Sequence, residues 1–498
     1  MALHEFDIIV IGAGSGGLSV GLFMNQAGFK VLMISTSDKD IGGDCLNDGC
    51  VPSKALIHAA KIVRKARAAE SFGLQVSGRV DIKKVVGYIQ DKQSLIRSHE
   101  NAKWLRDQGI TVALGHACFA GKNQVEVDGK IYSGKKIVMA TGSKPRKLTV
   151  EGIEKVSYFD NESIFHLDTL PENVLCVGGG PIGMEIAQAL SRLGSQITVV
   201  HKGQTILEHD DATVTDILLE RLKSEGIRFL LNSQVSRFIS GTEAIIENSS
   251  GETTVVKFDA IFVATGRVLA LGSLSLPKAG IEVAGGKIVV DHYLRTTNKN
   301  VFVCGDVASD LQFSHAAEFH ARIILNNLFS PFKKKLNNEH MSWVTFTDPE
   351  LTTFGLSEKQ LKDRKISYRR LEKDFTDDDR AVVDDYQYGK LILFVNEKGL
   401  FRKQKILGGT MVAPNAGELI QELILSNTSQ LSVKAIFNKV YPYPVASRIN
   451  QSLVTDLMSE GLTPIIKSML HKAYQIFNLW SGGNRLKTGF WAWANITM

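Results

Sequence analysis

Five cysteines in 498 residues are too few for a disulfide framework, which small secreted scaffolds build from a high cysteine density. Long apolar runs are missing as well: no stretch reaches the roughly 18 uncharged apolar residues that a membrane-spanning helix needs. The amino terminus, MALHEFDIIVIGAG, lacks the basic residues and small-residue cleavage site of a secretory signal. These absences lead us to expect a cytoplasmic protein, in which a close cysteine pair is catalytic or metal-binding rather than a staple. No strong charge of one sign is present either. Lysine and arginine number 58 against 52 acids, a net +6, which gives no case for nucleic acid as the main partner.

What is present is length, glycine and pattern. A chain of 498 residues exceeds what one hydrophobic core usually holds, so several domains are expected. The 44 glycines hint at tight turns or phosphate loops. FDIIVI (6–11) is an apolar run of the kind that forms a buried parallel strand; GAGSGG, an apolar helical segment and the strand KVLMIS follow, making a βαβ unit. The same grammar returns in NVLCVGGGPIGMEIAQALSRLGSQITVV (173–200). KIVMATGSKP (136–145) and AIFVATGRVL (260–269) each read as a strand ending in Ala-Thr-Gly, and NVFVCGDVAS (300–309) as one ending in Gly-Asp. From Met341 onward, strands such as DPELTTFGLSE, YGKLILFVN and KILGGTMVA mix with the amphipathic helices AGELIQELILSN and LSVKAIFNKV. That change marks a separate α+β domain over about 341–465, entered through the linker FKKKLNNEH (332–340).

Gly12, Gly14 and Gly17 form G-x-G-x-x-G between a strand and a helix. The first glycine allows the turn, the second lets backbone approach a pyrophosphate, and the third lets helix and strand pack closely. The helix amino end then offers free N–H groups to phosphate. Gly178, Gly180 and Gly183 repeat the device, so two dinucleotides are expected, as in an enzyme using both a flavin and a nicotinamide. The acid usually found about 20 residues on, for a ribose hydroxyl, is missing twice. The first unit has Ser35, with Asp38 and Asp40 nearby; the second has His201 and Lys202. That basic pair either holds a 2′-phosphate, favouring NADPH over NADH, or is ordinary surface.

In IGGDCLNDGCVPSKAL (41–56), Cys45 and Cys50 could be a metal clip, a staple or a redox switch. A zinc clip needs two more ligands, and no second cysteine–histidine cluster with ligand spacing exists. Cys118, Cys176 and Cys304 read as small hydrophobes in or near strands. Pro52 and the helical SKALIHAAKIVRKA put Cys50 at a helix amino end, where the dipole stabilises a thiolate. A disulfide closing so small a ring suits reversible reduction.

The stretch GGDCLNDGCVPSK resembles the redox-active segment of the flavoprotein disulfide reductases, the pyridine nucleotide-disulfide oxidoreductase family that includes dihydrolipoamide dehydrogenase, glutathione reductase and mercuric reductase. The likeness covers nearly the whole chain in order: the first glycine loop, the cysteine stretch, ATGSKP, the second glycine loop with Glu185, ATGR, CGD and DPELTTFGLSE. It implies an α/β fold with two Rossmann-like domains, for FAD and for NAD(P), plus a C-terminal α+β dimerisation domain. The FAD domain would take 1–150 and 271–340, the NAD(P) domain 151–270, the dimerisation domain 341–465, and a helical tail 466–498. It implies roles for residues as well. Cys50 would lie against the flavin, Cys45 would face substrate, and Lys54 would pair with Glu185 beside the flavin ring. Gly12, Gly14, Gly17, Ser35, Gly43, Lys54, Thr141, Gly142 and Asp306 would serve FAD. Gly178, Gly180, Gly183, His201 and Lys202 would lie near the nicotinamide nucleotide, and Thr265, Gly266 and Arg267 near the nucleotide sites. The chain would be a homodimer, each active site completed by the partner.

One departure bears on the acceptor. The family's His-Pro and glutamate near the C-terminus are replaced in YPYPVASR by Tyr443 and Arg448, and no histidine occurs between 341 and 470. Tyrosine titrates near 10 and is mostly a proton donor at neutral pH, which argues against efficient dihydrolipoamide oxidation. A tyrosine here is similar to mercuric reductases, as is the cysteine stretch, yet their C-terminal cysteine pair and N-terminal metal-binding extension are missing: nothing after Cys304 is cysteine. The expected acceptor is therefore a disulfide or other sulfur compound. The alternatives are a metal ion such as Hg(II), dihydrolipoamide as donor, and a low-turnover flavin redox sensor. In the tail, IIKSMLHKAYQIFNLW has apolar residues at helical spacing between basic ones. Packing on its own dimer is the preferred reading, and contact with a membrane surface or an acidic partner is the other.

Overall fold

The computed structural model describes residues 5–308, 311–397 and 403–480. The chain opens with β1 (Phe6–Ile11), α1 (Ser15–Gln26) and β2 (Val31–Ser35). A long helix, α2 (Cys50–Ala68), starts at the second cysteine, and β3 (Thr111–Leu114) and β4 (Lys130–Met139) follow. The order β3-β2-β1-β4 is completed by β9 (Val301–Val303), which returns from late in the chain to pair with β4. All these pairs are parallel, with Ile9 level with Leu32 on one side and Ile137 on the other. Every residue of β2, and Ile8, Ile9, Val10 and Ile11 of β1, is buried, as expected for a parallel sheet covered on both faces. The first half of β4 pairs antiparallel with Gln124–Val127, so this one strand serves three neighbours along its length.

A second parallel sheet contains β5 (Asn173–Val177), β6 (Gln196–Val200), β7 (Arg228–Leu230) and β8 (Ala260–Val263), in the order β7-β6-β5-β8 with Tyr158–Phe159 on its edge. Helix α3 (Pro181–Leu193) joins β5 to β6; its proline lies in the first turn, where no hydrogen bond is lost. Helix α4 (Ser314–Phe329) follows β9 and packs on the first sheet.

The remaining unit is antiparallel. Strands β10 (Ser342–Thr345), β11 (Glu350–Gly355), β12 (Tyr368–Asp374), β13 (Lys390–Asn396) and β14 (Ile406–Ala413) run in the order β10-β11-β14-β13-β12. The segment expected as one helix in AGELIQELILSN is two, Ala416–Leu419 and Gln421–Thr428, and LSVKAIFNKV yields a single turn, Lys434–Phe437. Helices α5 (Arg448–Ser459) and α6 (Pro464–Trp480) close the described chain. No helix among the described residues is long and apolar enough to cross a membrane.

The three sheets are not independent beads. One buried apolar cluster runs from Leu56 and Ala60 of α2, through Met184 and Leu190 of α3, to Leu351, Ile392 and Val412 of the C-terminal sheet. Beside it, the buried Arg192 bonds Glu225 at 2.7 Å and Asp348 at 2.8 Å. The first sheet, the second sheet and the C-terminal unit therefore meet around α2 and α3, the helices that carry the cysteine stretch and Glu185.

Candidate active site

The two glycine loops share one stereochemistry. At Gly12, with φ +105°, a Cβ would come within 2.2 Å of the Ala140 carbonyl oxygen, and at Gly17 within 2.0 Å of the Gly12 carbonyl oxygen. At Gly178 the clash is with the Ala264 carbonyl at 2.3 Å, and at Gly183 with the Gly178 carbonyl at 2.2 Å. The outer glycines are thus dictated by the protein's own backbone. The middle one differs: around Gly180 nothing lies within 4 Å of a Cβ position. Each loop also faces an Ala-Thr-Gly turn, and in both turns the threonine hydroxyl, Thr141 Oγ1 or Thr265 Oγ1, is buried with no hydrogen-bond partner. Beside them Gly142 and Gly266 border open space. A buried orphan hydroxyl costs free energy unless a ligand completes it.

The cysteine stretch is held against the first loop. Gly42 and Gly43 both have positive φ, and a Cβ on Gly43 would sit 2.6 Å from the Cα of Gly14. The short helix Gly43–Asn47 carries Cys45, and Cys50 begins α2. Both stand as free thiols, Cys50 exposed and Cys45 half-buried. Gln93 Nε2 donates to the Leu46 and Asn47 carbonyls at 3.0 and 2.7 Å, fixing the turn between them.

The Cys50 thiol is pushed down to about 6, chiefly because the Cys45 thiol donates to it, opposed by burial and helped by the Ser314 hydroxyl and the charge of Lys54. Ser314 Oγ lies 3.3 Å from Cys50 Sγ. Cys45 moves the other way: its hydrogen bond to Cys50, then burial, then the neighbouring thiolate hold it protonated. The pair therefore shares one proton at neutral pH, with the charge on Cys50 at the helix amino end.

One turn along α2, Lys54 Nζ bonds Glu185 Oε2 at 2.8 Å, and Glu185 is 6% exposed. The other carboxylate oxygen accepts the Phe346 N–H at 2.9 Å, and Lys54 Nζ lies 4.4 Å from the centre of the Phe346 ring. The cation is thus held by the second sheet's helix and by the C-terminal unit at once.

Other expected site residues lie as follows. Asp306, in the turn after β9, accepts from Ser143 Oγ at 2.5 Å, and burial pushes its carboxyl upward. The Arg267 guanidinium is committed to protein: it donates to Ser143 Oγ at 2.7 Å and to Asp44 at 3.1 Å. Ser35 is buried and donates to the Ser37 carbonyl at 3.0 Å. The His201 ring is folded under the second glycine loop, its Nδ1 accepting the Gly179 N–H at 3.1 Å while Nε2 lies 3.8 Å from Glu208. Burial pushes His201 down, toward the neutral imidazole, whereas Lys202 is exposed. Tyr443 stands apart on the C-terminal unit, 67% exposed. It donates to Asp379 at 3.0 Å, which raises its pKa, and Arg448 lies over its ring at 5.1 Å.

Residues 6–321 match the family model described as "Pyridine nucleotide-disulphide oxidoreductase". The chain belongs to that family. Residues 341–453 match the family's dimerisation domain. A mercuric reductase of Bacillus cereus is 30% identical over 88% of this chain and 69% of its own length. A dihydrolipoyl dehydrogenase of Chlamydia muridarum is 28% identical over 90% of this chain and 95% of its own. Among solved structures, the HOCl-induced flavoprotein disulfide reductase RclA of Escherichia coli superposes with a TM-score of 0.80 at 25% identity, covering 90% of this chain and 99% of that one.

Members of this oxidoreductase family use FAD and NAD(P)H. The residues present fit both groups: two glycine cradles closed by backbone on their flanks, and two buried orphan threonine hydroxyls beside the open space at Gly142 and Gly266, are what two dinucleotides would complete. Spacing and motif pointed to the glycines and the cysteines, and the family resemblance to Lys54 and Glu185. They did not point to Ser314, Phe346, Gln93 or Asp379, which come from distant segments and carry no motif signal.

Proposed function

We propose that this oxidoreductase passes electrons from NAD(P)H, by way of FAD, to a Cys45–Cys50 disulfide and on to a disulfide or other sulfur-containing acceptor. The observation that supports this most directly is the unequal cysteine pair: Cys50 ionised at a helix amino end, Cys45 holding the proton. FAD, when bound, supplies the two-electron exchange with the nicotinamide. The chain's own residues do the rest. Reduction of the Cys45–Cys50 bond leaves the charge on Cys50, where α2, Ser314 and Lys54 stabilise it. As Cys45 attacks one sulfur of the acceptor disulfide, its proton passes to the departing sulfur, which releases the first thiol and leaves a mixed disulfide. Cys50 attacks the Cys45 sulfur, restores the internal disulfide and releases the second thiol.

The chain acts as a homodimer in this reading, and the partner subunit's Tyr443 delivers the proton to the leaving thiolate. Asp379 supports that role by keeping the phenol protonated. A second reading, reduction of a soft metal ion such as Hg(II), is favoured by the same tyrosine, since a metal held between two thiolates needs less proton shuttling. Steady-state NADH and NADPH oxidation over a panel of disulfides, polysulfides and Hg(II) tests both. Turnover with a sulfur acceptor well above the oxygen background is expected; turnover with Hg(II) alone favours the second reading, and no turnover with any acceptor overturns both.

A further inference from the structure

The matched dimerisation domain ends at residue 453, but the described chain continues into α6 (Pro464–Trp480). Its apolar side chains are exposed: Ile465 is 73% exposed, Leu470 48% and Ile476 52%. At about 100° per residue, Ile465, Ile476, Met469, Ile466, Phe477 and Leu470 fall within one arc of about 140°. Lys467 borders that arc on one side, past Tyr474, and Lys472 on the other. Ser468, His471 and Gln475 lie opposite.

The charge pattern selects the occupant. Residues 464–498 contain no aspartate or glutamate, but carry Lys467, Lys472, Arg485 and Lys487. Three of the chain's five tryptophans, Trp480, Trp491 and Trp493, fall in the same segment. A second copy laid on the apolar face would bring lysine edges against lysine edges with no acid on either helix to answer them. Anionic lipid headgroups answer both edges at once, the lysine stems lie along the apolar face with their ammonium groups in the headgroup layer, and tryptophan favours that same depth. A 17-residue helix with basic flanks lies in the interface and does not span it.

We propose that α6 is a docking helix for an anionic lipid surface, holding the oxidoreductase at a membrane face. The test is flotation of the full-length, FAD-loaded protein with phosphatidylcholine vesicles, with and without phosphatidylglycerol. Wild type is expected to float with the anionic vesicles, to stay behind with neutral ones, and to be released by salt. Each lysine near such a surface contributes about fivefold to partitioning. Lys467→Gln/Lys472→Gln is therefore expected to bind about 25-fold more weakly, with flavin content and size on gel filtration unchanged. Ile465→Ser/Phe477→Ser, which leaves the charge intact, is expected to lose vesicle binding as well. Three results overturn the proposal: no flotation of wild type, equal flotation of wild type and the lysine variant, or a higher-order assembly that Met469→Asp dissociates, which gives the face to another copy.

Discussion

Removing the Ser314 hydroxyl probes how Cys50 is kept charged. In Cys45→Ser, Cys50 is the single sulfur at the site, and its thiolate beside bound FAD is expected to give a long-wavelength charge-transfer band that titrates with pH. Ser314 Oγ sits 3.3 Å from that sulfur. A hydrogen bond to a charged group contributes about 1.5–3 kcal/mol; with a long bond and an exposed sulfur the lower end applies, and about 1.4 kcal/mol is one pH unit. Adding Ser314→Ala should therefore move the band's midpoint up by about one unit. The sign follows from the thiolate being the form lost as pH falls: a higher pKa moves that loss to higher pH. A thiol whose midpoint rises by one unit, from a unit below the assay pH to the assay pH itself, falls from about nine-tenths to about half ionised. Ser314→Thr keeps the hydroxyl and should restore the parent midpoint. Coincident midpoints for Ser314→Ala and its parent would refute the reasoning and leave the helix dipole and Lys54 as the stabilising groups.

Gly43→Ala should abolish FAD retention, read as the ratio of flavin to protein absorbance, since the added Cβ meets Gly14 backbone at 2.6 Å on a left-handed φ. Glu185→Ala leaves Lys54 and the Phe346 N–H without their acceptor; because the lysine is partly solvated, we expect a loss of about 2 kcal/mol in urea unfolding, with Glu185→Gln recovering about half. Lys202→Gln should lower kcat/KM for NADPH about tenfold and leave NADH unchanged, and equal loss with both nucleotides would assign Lys202 no 2′-phosphate contact. Tyr443→Phe should lower turnover with a disulfide acceptor by about 100-fold while sparing NAD(P)H-dependent reduction of the flavin, measured by stopped flow.

The parts of this molecule that were readable in the sequence are those whose causes are local. Gly17 is glycine because the Gly12 carbonyl, a few residues away, fills the space of a side chain, and strand–loop–helix spacing reports that directly. Cys50 reads as a helix-end thiolate because Pro52 and the apolar helix behind it are adjacent. What stayed hidden depends on contacts between remote segments. Ser314 reaches Cys50 across 264 positions of chain, and Phe346 reaches Glu185 through a backbone N–H that no side-chain pattern encodes. His201 shows the converse error. As a letter it offers a cation for phosphate; folded, it is a half-buried ring already accepting the Gly179 N–H and pushed toward neutrality. That leaves Lys202 as the residue on which an NADPH preference would rest.

The Glu185 carboxylate spans a seam: one oxygen anchors Lys54 of helix α2, the other the first loop of the carboxyl-terminal unit. A chain still emerging and without Phe346 therefore has its cysteines, its nucleotide cradles and the Lys54–Glu185 pair, but one oxygen of that carboxylate has yet to receive its N–H donor. The carboxylate is fully held only once the last unit has docked, so the carboxyl-terminal unit finishes a contact one helical turn from Cys50.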